Sequence, residues 1–490
     1  MKRSGLGELC SRPFDLLVAG GGIYGLMAAW DASLRGLRVA LVERSDFGGG
    51  SSHNSLKIMH GGIRYVQHLD FRRLRSSARE RAFWQRAAPG LVRPLEFTIP
   101  LYGHGSRGPE AFRAATALYN LASAGLRGPG YPGARTVGAA EARARLGRLA
   151  GADLTGGGVW RDGQITDVNQ LHMALLRAAL SQGACAANYM EVTGFAAEGA
   201  RIAGAFLRDR LTGETGRLSA TVTLSCTGGR APALAAPHLP AGSGFPGFAR
   251  ATNLVLDLPA ATMARAVVGR AESDAVVSRG GRMYFLTPWK HLTIAGTHEA
   301  PARGAAKSDA DVDDFLAELN LAAPELRLSR GNVLWVQQGL IPADVDDARG
   351  VRRKTRGALI DHSQAGLPGL VSAIGVKYTT ARLIAERAVD LAASQLPVSG
   401  GASRSSGETL AVDLRDDPDP LDGAAASERI RHAVGAEMAV TLEDVMIRRT
   451  GWAETGAIRR PGAMESLRRA ATGLCLDGPL DQLPPVRKEA

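Results

Sequence analysis

Three glycines and a carboxylate carry the first recognisable chemistry in this chain. Gly20, Gly22 and Gly25 fit the spacing G-x-G-x-x-G. In that pattern the first glycine makes a tight turn, the second lets a pyrophosphate approach the backbone, and the third packs a helix on a strand. Glu43 follows at the distance where a carboxylate accepts bonds from both ribose hydroxyls and repels a 2′-phosphate. FAD or NAD therefore fits better than NADP. The next stretch, Arg44 to Tyr65, is dense in small residues, among them Ser51, Ser52, Ser55, Gly61 and Gly62. So many small side chains cannot hold a hydrophobic element, and they bring backbone close against a ligand.

A βαβ unit must position these groups, and the sequence supplies one. Leu16 to Ala19 reads as a buried parallel strand, the apolar run to Leu34 as a helix, and residues 38–42 as a second strand ending at Glu43. The helix would point free N–H groups and the positive end of its dipole at the phosphates. A second helix, Asp70 to about Ala88, carries Arg72, Arg73, Arg75, Arg79, Arg81 and Arg86, and reads mostly as a solvated face.

Composition bounds the rest. With 45% hydrophobic and 22% charged residues in 490, the chain can bury a large core of about three domains. No apolar run approaches a membrane span, and Met1 to Pro13 lacks the apolar core of a secretory signal. Cys10, Cys185, Cys226 and Cys475 form no CxxC pair, which suits a reducing cytoplasm with neither disulfide framework nor metal. A net charge of +11 fits a solvated basic surface, an anionic substrate or attraction to acidic lipid. No zinc-finger spacing or RNP-like motif points to nucleic acid.

Further along, 89–149 reads as loop-rich, with helices near Glu110 to Ala122 and Ala139 to Leu149. Asp162 and Asp167 precede a helix from Gln170 to Gln182 and are read as its caps. Strand-like pieces at Gly194 to Arg208 and Leu218 to Leu224 lead into Thr227-Gly228-Gly229, and Cys226 reads as a buried small hydrophobe. Alternation over 251–340 predicts an antiparallel sheet, with strands at Thr252 to Leu258, Ala275 to Ser278, Arg282 to Leu286, His291 to Thr297 and Asn332 to Gln338, and a helix at Ser308 to Leu321. Pro397 to Gly407 is linker-like in composition, and helices at Glu428 to Met438 and Leu442 to Arg449 follow.

The run Ser55-Leu-Lys-Ile-Met-His60-Gly61-Gly62-Ile-Arg64-Tyr65-Val-Gln-His68 resembles the second flavin motif of FAD-dependent glycerol-3-phosphate dehydrogenases. Gly375-Val-Lys377-Tyr-Thr379-Thr380-Ala-Arg382 resembles the family's Gly-Gly-Lys-x-Thr-Thr-x-Arg, and Arg448-Arg449-Thr450 its late Arg-Arg-Thr. The resemblance implies an α/β fold: a Rossmann-like FAD-binding domain with an inserted β-rich substrate domain and a C-terminal helical cap. The FAD-binding pieces would be 13–88, 150–232 and 351–397, with a substrate or cap segment at 89–149, the β-rich domain at 233–350, a linker at 398–407 and the cap at 408–490.

It also implies a site. Gly20, Gly22, Gly25, Glu43, Ser51, Ser52, Ser55, His60, Gly61, Gly62, Thr227, Gly228, Gly375, Lys377 and Thr379 would hold FAD. His60 would sit beside the flavin ring as the base, with Arg64 and Lys377 in the catalytic group. Arg64, Tyr65, Arg356, Lys377 and Asn253 would meet a small anionic substrate. The implied activity is hydride removal from C2 of glycerol 3-phosphate, giving dihydroxyacetone phosphate, in a cytoplasmic enzyme with quinone or another acceptor at the inner face of the cell membrane.

Departures from the family gather at the substrate end. Ile341 stands in Gly339-Leu-Ile-Pro342 where the family has arginine, Asn253 where it has histidine, Val376 where it has a second glycine, and His298-Glu299 where it has Thr-Asp. A lost charge-assisted hydrogen bond costs roughly 1.5–3 kcal/mol, about ten- to a hundred-fold in binding. Three readings therefore stand: the family reaction, with Arg352 or Arg353 compensating; a same-fold oxidoreductase acting on another polyol phosphate, hydroxy acid or amine; and an FAD-binding protein without turnover. The acceptor, the oligomeric state and whether FAD is covalently held are left open.

Overall fold

The computed structural model describes residues 1–105, 108–239, 244–269, 281–302, 307–346, 350–353, 357–398, 400–474 and 476. Two sheets organise them. The first is built on five parallel strands in the spatial order Cys185–Ala187, Val39–Val42, Phe14–Ala19, Thr215–Ser225 and Leu370–Ile374, with Ala358–Asp361 antiparallel at one edge. Leu16, Leu17, Val18 and Leu41 are fully buried, as strands covered on both faces must be. Helices Ile23–Leu34, Val168–Ser181 and Ala381–Ala393 supply much of that cover. The strand after Leu218 opens from a hairpin, so the expected piece at Gly194 to Arg208 is two strands, Met190–Glu198 and Arg201–Asp209.

The second sheet runs Gly350–Arg353, Val333–Asp346, Phe248–Leu256, Leu292–Pro301, Met283–Trp289, Ala264–Val268, Val92–Tyr102, Leu154–Ile165 and Ile58–Met59. Helix Ala310–Ala322 packs Val312, Phe315 and Leu319 against one of its faces. Val92–Tyr102 corrects the loop-rich reading of 89–149: it is an eleven-residue strand whose Pro94 and Pro100 disguised it. The Gly156–Gly158 run, also unlike a strand by composition, lies within Leu154–Ile165, because Phe112, Ala142 and Val137 leave no room there for a Cβ. The predicted strand Ala275 to Ser278 lies outside the described residues.

The tail closes the molecule. Helix Gly423–Glu437, the turn Leu442–Asp444 and the wider π turn Val445–Arg449 pack on Trp289, Leu292 and Trp335 of the second sheet. Asp46, fully buried beyond the second strand, accepts bonds from Arg448 Nε (2.8 Å) and from Arg449 Nη1 (2.6 Å) and Nη2 (2.9 Å). Burial raises the Asp46 carboxyl, but Arg449 and Arg448 outweigh it and hold the group below the ordinary carboxylate range. The second half of the segment expected as a linker, 398–407, is packed against the helix Ile23–Leu34. Ser405 is buried, Ser403 Oγ donates to Asp31, and Arg404 donates to the Leu34 carbonyl at 2.8 Å.

Candidate active site

The glycine loop is tight for reasons its neighbours make plain. A Cβ on Gly25 would sit 1.8 Å from the Gly20 carbonyl oxygen, and one on Gly20 (φ +101°) 2.7 Å from the Cys226 oxygen. Glu43 accepts the N–H groups of Gly21 (2.7 Å) and Ser45 (2.9 Å). Burial pushes its carboxyl up despite those donors. Ser52 Oγ accepts the Ile23 N–H at 2.9 Å, so the serine run folds directly over the helix start. Ser51 Oγ donates to the Leu340 carbonyl at 2.7 Å, tying that run to the second sheet. Among the described residues, Ser55 Oγ is buried without a hydrogen-bond partner. A carboxylate with spare lone pairs, an N–H-rich turn and an orphan hydroxyl are the donor set an adenine dinucleotide with a ribose diol requires.

His60 leaves the end of strand Ile58–Met59, which pairs Ile58 with Gln164 and Met59 with Gly163. That register sets Asp162 opposite His60, and His60 Nδ1 lies 3.1 Å from Asp162 Oδ2. Trp160 Nε1 donates to the same oxygen at 3.1 Å, while Oδ1 accepts from Gly61 N–H (2.6 Å) and Arg81 (3.2 Å). Burial would raise the Asp162 carboxyl, yet His60 and Arg81 outweigh it and hold it low. Two earlier readings are thereby corrected. Asp167 does cap its helix, accepting from Asn169 and Gln170, but Asp162 does not. Arg81 is no solvated arginine: it is fully buried, with its guanidinium carbon 4.1 Å from the Tyr131 ring centroid.

A cationic group adjoins this pair in the chain. Tyr65 is buried, and its ring takes the Lys377 ammonium 4.0 Å from its centroid and the Arg73 guanidinium at 4.7 Å. Lys377 is depressed to about 7, first by desolvation and then by Arg64. Its backbone is pinned by Tyr24, whose hydroxyl donates to the Lys377 carbonyl at 2.6 Å. Gly375 gives that tyrosine its place, since a Cβ there would fall 1.6 Å from the Tyr24 ring. Thr379 is buried, and its carbonyl accepts Trp84 Nε1 at 2.9 Å. Thr227 and Gly228 follow the central strand Thr215–Ser225, with the Thr227 hydroxyl 3.1 Å from Ser225 Oγ. Cys226 beside them has its thiol pushed up to about 12 by burial.

Asn253 is buried in the second sheet, where its Oδ1 accepts from Thr297 Oγ1 at 2.7 Å, and Ile341 pairs with Ala249 on the same sheet. Arg356 lies outside the described residues, as do the side chains of Arg352 and Arg353. Sequence reasoning missed Asp162, Tyr24 and a buried cluster under the serine run. In that cluster Glu454 Oε1 accepts from Lys57 (3.2 Å) and Gln337 (2.6 Å), with His53 at 3.5 Å. Its members are 397 and 117 residues apart in the chain, so no local signal could have joined them.

A nucleotide-cradling glycine loop and a half-exposed histidine held by a buried aspartate suit a flavin-dependent oxidoreductase. A family model described as FAD dependent oxidoreductase matches residues 15–391, and the chain belongs to that family. It is 31% identical over 399 residues to a glycerol-3-phosphate dehydrogenase of Synechocystis sp., covering 78% of this chain and 70% of that relative. It is 30% identical over 424 residues to the mitochondrial glycerol-3-phosphate dehydrogenase of Mesocricetus auratus, covering 80% of this chain but only 55% of that relative. The chain thus spans about half the length of its mitochondrial relatives. The solved glycerol-3-phosphate dehydrogenase of Bacillus halodurans, complexed with FAD, superposes with a TM-score of 0.71 at 23% identity, over 96% of this chain and 93% of that one. At that identity the likeness speaks for the fold.

Proposed function

We propose that this chain oxidises glycerol 3-phosphate to dihydroxyacetone phosphate. The observation that carries the reading is the His60–Asp162 pair, followed directly by the short helix Ile63–His68 that bears Arg64 and Tyr65, with Lys377 over the Tyr65 ring. FAD would be held by Gly20, Gly22, Gly25 and Glu43 around the adenosine and pyrophosphate, and by Ser52, Ser55, Gly61, Thr227 and Thr379 along its length. Bound FAD supplies the two-electron acceptor that takes hydride from the substrate C–H.

The chain's own residues do the remaining work. Asp162 engages Nδ1 of His60, which leaves Nε2 as the nitrogen able to take the C2 hydroxyl proton. The buried carboxylate then offsets the positive charge of the protonated ring. Arg64 and Lys377 provide the charge for the phosphate, and substrate phosphate in turn favours the protonated form of Lys377. Electrons leave to an external acceptor, a quinone in this reading.

Anaerobic mixing of the FAD-loaded protein with glycerol 3-phosphate tests the proposal. Loss of the flavin absorbance is expected, and an unchanged spectrum would overturn the substrate assignment. Arg64→Ala should raise KM for the phosphorylated substrate far more than it reduces FAD retention. Equal losses would remove Arg64 from the substrate end.

A further inference from the structure

We propose that the cleft between helices Phe71–Ala87 and Ala381–Ala393 is a second anion site, built for a soluble small molecule carrying phosphate or pyrophosphate on an apolar body. The cleft has a volume of about 600 Å³. Arg72, Arg75 and Arg79 stand at i, i+3 and i+7 on one helix, hence on one face, and Arg387 projects into the cleft from the other. All four are exposed. Arg72, Arg79 and Arg387 have no carboxylate partner among the described residues, and Arg75 spends one N–H on the Ala122 carbonyl. The one acid among the described residues lining the cleft, Asp70, is already engaged by Arg73 at 3.0 Å and caps its own helix.

Like charges at this spacing oppose the helix that carries them, so the stripe gains nothing from its own fold. Between the arginines the wall is apolar, formed by Leu359, Val376, Leu383 and Ile384. A purely electrostatic surface would have no use for that lining. The walls are also fixed. A buried Arg382–Glu80 pair at 2.5 Å bridges the two helices, and Trp84 ties the first to the Thr379 carbonyl. Lys377 marks the inner end of the cleft and is shared with the substrate end of the proposed reaction, while His60 and Arg64 take no part in the lining. Arg64→Ala therefore separates the two sites in the test.

The test uses the full FAD-loaded chain and inorganic pyrophosphate as probe, followed by titration calorimetry at low salt. Saturable one-to-one binding is expected, weakened roughly tenfold by Arg79→Ser or Arg387→Ser and about a hundredfold by both. The flavin spectrum and thermal midpoint should stay at the wild-type values, and Arg64→Ala should leave pyrophosphate affinity unchanged. Three results would overturn the proposal: binding indifferent to Arg79 and Arg387; binding abolished by Arg64→Ala, which would place the probe at the redox site; or no saturable binding while vesicles of anionic phospholipid retain the chain through these same arginines.

Discussion

Asp162→Asn is the sharpest perturbation of the proposed site, because the four donors around that carboxylate leave no room for an amide. Gly61 N–H and Arg81 address Oδ1; Trp160 Nε1 and His60 Nδ1 address Oδ2. An asparagine keeps one acceptor oxygen, and the Gly61 bond, at 2.6 Å, claims it for that side. Its NH2 then faces Trp160 and His60, and a neutral imidazole can meet it only by accepting at Nδ1. That tautomer carries its proton on Nε2 and cannot take another there. General-base catalysis is worth about 10²–10⁴ in rate, so anaerobic flavin reduction by substrate should slow roughly a hundredfold or more, with KM little changed. Fold damage is separated by Trp160→Phe, which removes a donor to the same oxygen without touching His60. Reduction is to be followed by stopped flow and normalised to bound FAD. If Asp162→Asn slows it no more than Trp160→Phe does, the pair is a structural clasp and the base lies elsewhere.

Three further outcomes can be checked. Desolvation and Arg64 hold Lys377 at about 7, so KM for a phosphorylated substrate should climb as pH rises through that value and the ammonium discharges. Lys377→Arg, charged throughout, should flatten the climb in steady-state profiles. Asp46 titrates lower in the folded chain than in the unfolded one, so its contribution to stability is complete above the ordinary carboxylate range and is lost as pH falls through its depressed folded value. Asp46→Asn, which leaves Arg448 and Arg449 buried without that charge, should cost about 3–5 kcal/mol, read as a lower thermal midpoint and earlier proteolysis of the tail. Ile341→Arg should lower KM for glycerol 3-phosphate about ten- to a hundred-fold if a phosphate lies within its reach; an unchanged KM would separate that sheet position from the substrate.

What the sequence made legible was local. The glycine loop, its helix and Glu43 lie within thirty residues, and each asks its neighbours only for a turn or a close approach. The antiparallel strands near Thr252, Arg282 and His291 announced themselves by alternation. Asp162 was misread because its partner is set by a strand register 102 residues distant, and a capping acid looks the same in one dimension. Val92–Tyr102 was missed because prolines and charges mark a loop until neighbouring strands supply the missing bonds. Arg81 and Arg72 share a helix and a side-chain type, yet one is core and the other rim. Only the tertiary neighbours tell them apart.

The interleaved order of the parallel strands also sets a timetable for biogenesis. Phe14–Ala19 leaves the ribosome first of the five, but Leu370–Ile374, which flanks Thr215–Ser225 on its far side, follows some 350 residues later. At about 5–20 residues per second this is a wait of roughly 20–70 s. Through that interval the apolar first strands have no complete sheet to join, and the crevice for the nucleotide is unfinished. The nucleotide crevice therefore waits on the last parallel strand, and the first strands are exposed to mispairing until it arrives.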